Sequence, residues 1–416
     1  MNGHGAMIDP APLNVTNGES EDTAFDRIIA PLTRQEFLSR FWAKSFLRLT
    51  GQPGRFSSLL PWDELSSVLE RHELAPPRFR LFRDGKSVDT SRFLHGADKT
   101  QRLKAAAFVN CLSEGATLIV DAVDELSPGV RELAEACEDV LRTGTSVNLY
   151  AGWRTQAGFD LHWDAQDTIV LQLSGRKRWK VYRPTRVHPL KLDMEESPKP
   201  TDEPVWDGVL EDGDMIHLPR GWWHVAFPLD EPSLHLTITI EPAHGVNLLR
   251  WCVDQVKRHA EVRMNVPNLA SEADRREHLA RLRELMTESL ADDAPERFLE
   301  DWESKIKVRP HVRLPHAPVD ARKPINDATQ IRLATAWRLS FERDDGSGKV
   351  SFRANDVRWR CSPELVPALR MLRGTAGRSV RQLCDVLADA KAARELQMFL
   401  MALAMGGVVW TERGEP

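Results

Sequence analysis

Two short polar runs constrain this chain more than any other feature. In a strand, residues i and i+2 point to the same side, so a histidine and an aspartate at this spacing can hold one ion together. Glycine and proline in the second run favour a chain reversal that would deliver another histidine. The first run is His162-Trp163-Asp164, and the second, about sixty residues later, is Gly213-Asp-Met-Ile-His-Leu-Pro-Arg-Gly-Trp-Trp-His224.

Either run alone is weak evidence, because it also fits a capped surface histidine or an ordinary turn. Together, and in this order, they predict an Fe(II) site formed by His162, Asp164 and His224. Two histidines and one carboxylate on one face of Fe(II) leave three positions open. In one large enzyme class, two of these positions take the chelating end of 2-oxoglutarate and the third takes O2. The far carboxylate of that co-substrate then needs a cation in the pocket.

The sequence around these runs predicts short strands separated by Gly, Pro and Asp. This pattern is typical of an all-β sandwich or barrel, and both candidate ligand runs lie within the segment that shows it. The predicted strands are Ser146–Ala151, Thr168–Leu173, Arg178–Tyr182, Asp214–Leu218, His224–Phe227 and Leu234–Ile240.

The segments before the strands predict mainly helices. Residues 1–25 are poor in apolar side chains and are expected to be a disordered lead-in. A helix is expected from Thr33, because Glu36 follows it at the spacing of a capping box. Further helices are expected at about 61–71 and 128–143, with a buried strand ending near 121, and residues 26–245 form the expected main domain.

The segments after the strands predict a second, largely helical part. Residues 246–306 have helical periodicity and are expected to form a dimerisation segment, and residues 307–330 are a Pro-rich linker. Residues 331–416 are expected to form a winged-helix-like domain that supports structure or dimerisation rather than nucleic-acid recognition. Its predicted elements are a hairpin of Trp337–Glu342 with Lys349–Arg353, helices from Ser362 and at about 379–389 and 391–405, and a strand to Trp410.

Composition excludes several other classes of protein. The net charge of −5 gives no reason to expect nucleic-acid binding by the whole chain, and the five scattered cysteines form no Cys-x-x-Cys pair. That cysteine pattern argues against a disulfide framework or a thiolate zinc site, and it favours a cytoplasmic protein. No signal-peptide pattern begins the sequence, and no apolar run approaches the roughly 18–20 residues of a membrane helix.

Four further residues are candidates for the pocket around the metal. Lys177 alternates with Trp179 and Val181, so it either points into the barrel and requires an anion, or reaches to water from the strand end. Tyr150 either donates to the same anion or is a core tyrosine. Thr237 and Thr239 share one parity after His224, so one or both would line the pocket, whereas His217 and His235 are assigned to the core or to the surroundings of the metal.

The residues from Tyr150 to Ile240 resemble the jumonji-C oxygenases of the cupin superfamily, and in particular the branch that hydroxylates ribosomal proteins. The opening helix Leu32–Trp42 and the order of barrel, helical segment and winged helix are also similar to that branch. The resemblance implies a double-stranded β-helix, Fe(II), 2-oxoglutarate and O2, with Lys177 on the distal carboxylate and Tyr150 and Thr239 helping to hold the co-substrate. It also implies a homodimer.

The chain departs from the general cupin pattern at two positions. Pro228 stands where cupins place an asparagine, and the first motif is His-x-Asp instead of His-x-His, which favours an oxygenase. The expected function is therefore a 2-oxoglutarate-dependent dioxygenase that hydroxylates an amino-acid side chain, most simply of a ribosomal protein. Two alternatives stay open, namely a hydroxylase tailoring a biosynthetic precursor peptide and a non-catalytic cupin-like scaffold.

Overall fold

The computed structural model divides the chain into two compact units. The first contains residues 1–141 and 145–241, and the second contains residues 142–144 and 242–416. The residues that the structure describes are 23–72, 74–96, 102–155, 158–194, 197–306, 309, 325–334, 339, 341–343, 348–355, 357–372 and 377–412.

The first two helices of the first unit begin where side chains cap them. Thr33 and Glu36 form the predicted capping box, and Thr23 and Asp26 form another. The lead-in that was expected to extend to residue 25 therefore ends earlier, because residues 24 and 25 already belong to a helix. Residues 1–22 lie outside the described ranges. The helices are α1 Ala24–Ile29, α2 Arg34–Arg40, α3 Trp62–Arg71, α4 Ala105–Ser113 and α5 Pro128–Leu141, with 3-10 turns at Thr90–Arg92, Val123–Glu125 and Lys191–Asp193.

The six strands predicted between residues 146 and 240 are all present, each within one residue of its expected bounds. A further strand, β10, was not predicted. The strands of this unit are β1 Leu47–Leu49, β2 Phe79–Arg83, β3 Lys86–Ser87, β4 Leu94–His95, β5 Arg102–Leu103, β6 Thr117–Val120, β7 Thr145–Gly152, β8 Asp167–Ser174, β9 Lys177–Tyr182, β10 Trp206–Leu210, β11 Met215–Leu218, β12 Trp223–Pro228 and β13 Ser233–Ile240.

Two antiparallel sheets form the barrel. The larger has eight strands in the order β1-β11-β8-β13-β7-β6-β2-β3, and the smaller has the order β10-β9-β12. Side chains from both sheets meet in one apolar cluster, which includes Val170 and Ile216 from the larger sheet and Trp179 and Val181 from the smaller. The two sheets therefore pack face to face, as the jumonji-C or cupin fold requires.

The opposite face of the larger sheet is covered by helices. Side chains alternate along a strand, so Leu149 of β7, Leu171 of β8 and Leu236 of β13 all point outward into the main core with Phe25 and Leu133 of the helices. Their neighbours in sequence point into the barrel. One face of each strand thus stabilises the unit, while the other is available for a site.

The second unit begins with helices α6 Gly245–Val256, α7 Ala260–Arg263, α8 Glu272–Ser289 and α9 Ala294–Ser304. Trp251 and Cys252 of α6 pack with Ala294 and Phe298 of α9 in a small core. This confirms the helical periodicity predicted for residues 246–306. Within the described ranges, none of the helices combines the length and the apolar composition needed to span a bilayer.

The C-terminal part of this unit has two three-stranded sheets, of order β18-β14-β19 and β15-β16-β17. The expected hairpin is confirmed where it is described, at Glu342–Arg343 with Val350 and Ser351, while Trp337 lies outside the described residues. Strands β14 and β17 were not predicted, and the winged-helix assignment stays a prediction. The elements are β14 Gln330–Leu333, β15 Glu342–Arg343, β16 Val350–Ala354, β17 Val357–Cys361, a 3-10 turn Pro363–Leu365, α10 Val366–Leu369, β18 Arg378–Ser379, α11 Val380–Cys384, α12 Ala390–Met405 and β19 Val409–Glu412.

Candidate metal centre

The structure brings His162, Asp164 and His224 together at one end of the barrel. One ligand atom of each lies within 4.8 Å of the others. The two imidazole ring centroids are 4.4 Å apart, and Nε2 of His224 lies 3.6 Å from Oδ2 of Asp164. In the described part of the chain, no fourth histidine, cysteine or carboxylate joins this group. The arrangement therefore leaves half of a metal's coordination sphere without protein donors.

Backbone hydrogen bonds hold the two ligand runs side by side. His162 and His224 form an antiparallel bridge, in which the N–H of His224 donates to the carbonyl of His162 at 2.7 Å and the reverse bond is 3.2 Å. Gly221 N–H donates to the carbonyl of Asp164 at 2.9 Å. The i, i+2 expectation holds for the side chains, although His162 and Asp164 lie between β7 and β8 and not within a regular strand.

The turn before His224 requires glycine. Gly221 has a φ of +82°, and a Cβ at this position would lie 2.6 Å from Cγ of Pro189. Both the left-handed backbone and the close approach exclude other residues without rearrangement. The glycine predicted from sequence as a chain-reversal residue is thus fixed by sterics.

Both histidines present the same nitrogen to the centre. Nδ1 of His162 donates to the carbonyl of Asp160 at 2.7 Å, and Nδ1 of His224 donates to the carbonyl of Trp222 at 3.0 Å. A carbonyl only accepts, so each Nδ1 carries a proton, and in a neutral imidazole the Nε2 then offers its lone pair to a metal. Burial, and next the neighbouring His162, hold the pKa of His224 below its usual value. The donor set and its protonation fit Fe(II).

The barrel interior beside the triad is lined by cross-strand polar rows. Tyr150 of β7, His235 of β13 and Gln172 of β8 form one row. Thr237 pairs with Asn148, and Thr239 lies between Ser146 and Thr168 in the two rows that follow. Directly opposed residues share a face, so both predicted threonines point into the barrel, as their parity indicated.

Lys177 points into the same interior. It opens β9 on the face that also carries Trp179 and Val181, and it is only 7% exposed. Burial lowers the pKa of its ammonium to about 7. Within the described residues the ammonium has no ion-pair or hydrogen-bond partner, and its burial does not support the alternative that it reaches to water. A buried unpaired cation is unfavourable, so the pocket is complementary to an anion.

Tyr150 and His235 form a stacked pair in the barrel interior. Their ring centroids are 4.9 Å apart and the planes differ by 4°. Burial, and next the carboxylates of Asp164 and Asp121, raise the pKa of Tyr150, so its hydroxyl stays a donor. Tyr150 therefore faces the barrel interior near Asp164, where its ring stacks on His235, and not the main core.

His235 is the interior residue whose position the sequence did not reveal. It is 3% exposed, and its ring centroid lies 5.8 Å from that of Trp179 in a T-shaped arrangement. Its Nδ1 has no hydrogen-bond partner among the described residues. Burial, and next Lys177, lower its pKa well below the usual value, so it is neutral. Its parity with Thr237 and Thr239 was the signal that could have placed it on the pocket wall.

His217 lies on the other face of the sheet. Its ring is 5.2 Å from that of Phe37 and 5.7 Å from that of Trp42, and burial lowers its pKa to about 3. The expectation that it belongs to the core is confirmed. Its ring points to the helices and away from the barrel interior.

Comparison with known proteins identifies the barrel. A family model described as the JmjC domain matches residues 125–248. Over 219 residues the chain is 27% identical to the bifunctional lysine-specific demethylase and histidyl-hydroxylase NO66 of Drosophila persimilis, covering 51% of this chain and 31% of that protein. Over 226 residues it is 30% identical to human ribosomal oxygenase 1, covering 52% and 34%. The chain thus spans about a third of the length of these curated relatives.

Solved structures extend the likeness over both units. YcfD, a ribosomal oxygenase from Escherichia coli, has a TM-score of 0.60 at 19% identity, covering 92% of this chain and 98% of that one. The complex of YcfD with cobalt and 2-oxoglutarate has a TM-score of 0.59 at 18% identity, covering 92% and 99%. At this identity the likeness concerns the fold. The matched model shows that residues 125–248 form a JmjC domain, and the chain as a whole is similar to ribosomal oxygenases.

Proposed function

We propose that this chain is an Fe(II)- and 2-oxoglutarate-dependent dioxygenase that hydroxylates an amino-acid side chain of a protein. One observation carries the proposal: a half-open triad of two histidines and a carboxylate shares a barrel interior with a buried, unpaired lysine. A scaffold protein would have no reason to bury that cation. A structural zinc site would use a fourth protein ligand.

His162, Asp164 and His224 would hold Fe(II), which when bound supplies activation of O2 coupled to oxidative decarboxylation of 2-oxoglutarate. The Lys177 ammonium would pair with the distal carboxylate of the co-substrate, and the Tyr150 hydroxyl would donate to it. Thr239, and next to it Thr237, would add hydroxyl contacts from β13. Trp179 lies against both His224 and His235 and would exclude water from the space between metal and lysine.

The substrate is proposed to be a ribosomal protein, in line with the names of the relatives as ribosomal oxygenases and of NO66 as a histidyl-hydroxylase. An aromatic wall of Phe82 and Phe159 lies beside the centre. Phe159 is 5.8 Å from His162 and 4.9 Å from Phe82, measured between ring centroids. Both phenyl rings are half-buried, so they offer an apolar surface against which a planar side chain would stack.

A homodimer through residues 246–306 is part of the proposal. On α6, Leu249 and Val253 are 51% and 43% exposed and lie together in a shallow groove with Val246. Exposed apolar side chains at this spacing form one helix face, which a second copy would cover. A cytoplasmic location agrees with five cysteines that form no disulfide.

The test of the activity compares wild type with Asp164→Ala. Wild type with Fe(II), 2-oxoglutarate and ribosomal proteins is expected to form succinate and to add one oxygen to one protein, measured by mass spectrometry. Asp164→Ala is expected to lose both while retaining its circular dichroism spectrum, because its carboxylate is one of three metal donors. Succinate formation retained by the variant would remove the metal assignment, and turnover without any modified ribosomal protein would remove the substrate.

A further inference from the structure

A buried carboxylate outside the triad lies close to the ligand runs. Asp167 is the first residue of β8, three positions after Asp164, and it is 1% exposed. Its Oδ1 accepts the backbone N–H of Arg220 at 2.9 Å. A carboxylate removed from water is unfavourable unless it accepts hydrogen bonds, and burial raises its pKa. Such a residue at the start of a strand needs a reason beyond packing.

Four hydrogen bonds join residues 162–167 to residues 220–224, and only one of these four uses a side chain. Three run between backbone groups, namely the pair that bridges His162 and His224 and the bond from Gly221 N–H to the carbonyl of Asp164. Those three depend on no particular side chain, although the turn itself requires glycine at position 221. The fourth, from Arg220 N–H to Asp167, exists only because residue 167 carries an acceptor of the right length.

We propose that Asp167 is a positioning residue for the metal centre, which fixes the turn Pro219–Gly221 so that His224 meets His162 and Asp164. The proposal rests on the proposed function, since it presupposes that the triad binds a metal. Asp167 is not itself offered as a ligand, because its Oδ1 is engaged by the turn. It acts through the backbone of Arg220 and Gly221, four and three residues before His224.

A metal centre tolerates little displacement of its donor atoms. Metal–ligand bonds require donors placed within a few tenths of an ångström. Gly221, whose φ is +82°, gives the turn a left-handed backbone conformation. Two successive backbone amides also anchor the turn, since Arg220 N–H donates to Asp167 and Gly221 N–H donates to the carbonyl of Asp164. Without the carboxylate, the Arg220 N–H loses its hydrogen-bond partner and the turn becomes more mobile. The position of His224, which follows the turn, then becomes less well defined.

The experiment measures binding of Co(II) alone to the full-length apoprotein, by calorimetry and by the visible spectrum of the bound ion. Asp167→Ala is expected to weaken Co(II) affinity about tenfold or more, as is usual when a group that orients a ligand is removed. Asp167→Asn keeps an oxygen acceptor and is expected to bind Co(II) as wild type does, with the same spectrum. Asp167→Leu, which keeps the branching of the side chain but has no acceptor, should behave as Asp167→Ala.

Asp124→Ala is the matched control. Asp124 is 3% exposed and its Oδ1 accepts the N–H of Val147 at 2.8 Å, so the bond lost is similar but does not involve either ligand run. This variant is expected to lower the melting temperature and leave Co(II) affinity unchanged. If Asp167→Ala and Asp167→Leu retain wild-type affinity, Asp167 has no positioning role. If wild type itself binds no Co(II), the metal centre and the proposed function fail instead.

Discussion

The two faces of β13 have opposite compositions although they share one backbone. Leu234, Leu236, Ile238 and Ile240 point to the helices, and none is more than 1% exposed. The residues between them, His235, Thr237 and Thr239, point into the barrel beside the metal centre. The apolar face lowers the free energy of the folded state through burial. The polar face does not, and His235 Nδ1 has no partner among the described residues. This difference indicates that the interior is shaped for a ligand and the exterior for stability.

A change on the outer face tests the stability half of this comparison and should have the largest effect. Leu236→Ala removes a fully buried side chain and is expected to lower the free energy of unfolding by about 2–5 kcal/mol. Denaturant unfolding measures this. The KM for 2-oxoglutarate of the remaining folded enzyme should be unchanged. A large rise in KM would show that the two faces are not separable.

Lys177→Met tests the claim that the barrel interior is shaped for a ligand. Losing a charge-assisted pair to a carboxylate should raise the KM for 2-oxoglutarate about a hundredfold, equivalent to about 2.7 kcal/mol. Because the buried ammonium is unpaired in the free protein, the variant should also be more stable than wild type at pH 6. Steady-state kinetics and thermal unfolding give both values. A variant that is less stable and binds the co-substrate normally would assign Lys177 to the fold.

The pH dependence of co-substrate affinity follows from the same lysine. In the folded protein its pKa is lowered to about 7, so the ammonium is present below that pH and is lost above it. Affinity of the Mn(II)-loaded protein for 2-oxoglutarate should be constant below pH 7 and then fall by up to about tenfold per pH unit. Calorimetry across pH 6–9 measures the trend.

Lys177→Arg is the control for this pH trend, since a guanidinium keeps its charge throughout the range. Its affinity for 2-oxoglutarate should show no fall above pH 7. Equal slopes for the lysine and arginine forms would show that another group controls binding, and would contradict the role given to Lys177.

The smallest effect is expected from the hydroxyls of β13. Thr239→Val keeps the shape of the side chain and should raise the KM for 2-oxoglutarate only severalfold, since a neutral hydrogen bond contributes about 1 kcal/mol. Thr237→Val, one row away, is the matched variant and should change KM less. A larger rise in KM for Thr237→Val would assign the co-substrate contact to Thr237 instead of Thr239. An unchanged KM in both variants would show that neither hydroxyl contacts the co-substrate.

Much of the site was predictable because its signals are local. His162 and Asp164 share an i, i+2 spacing, and Gly221 marks the turn that brings His224 back. Short sequence patterns were therefore enough to predict the triad. The six strands between residues 146 and 240 were predicted for the same reason, since alternation is visible within each segment. Strands β1 to β5, β10, β14, β17 and β18 were not predicted, because most of their sequences are short or mixed in polarity and depend on neighbours for pairing.

The rest could not be predicted because it depends on register between distant segments. His235 was assigned only loosely, since nothing local reveals that it stacks on Tyr150 eighty-five residues earlier. Lys177 was ambiguous between water and the interior, because its direction depends on which face of the smaller sheet packs against the larger one. Asp167 gave no signal at all, because its partner is a backbone amide more than fifty residues away.

The sequence by itself determined which residue types are available to a metal and which strands alternate, because both follow from covalent spacing and side-chain chemistry. Only the tertiary structure decided which face of each strand lies inside, which rows of side chains meet, and which buried groups are left without a partner. Those facts depend on the pairing of strands far apart in the chain, where the gain from burying one whole face selects a single register.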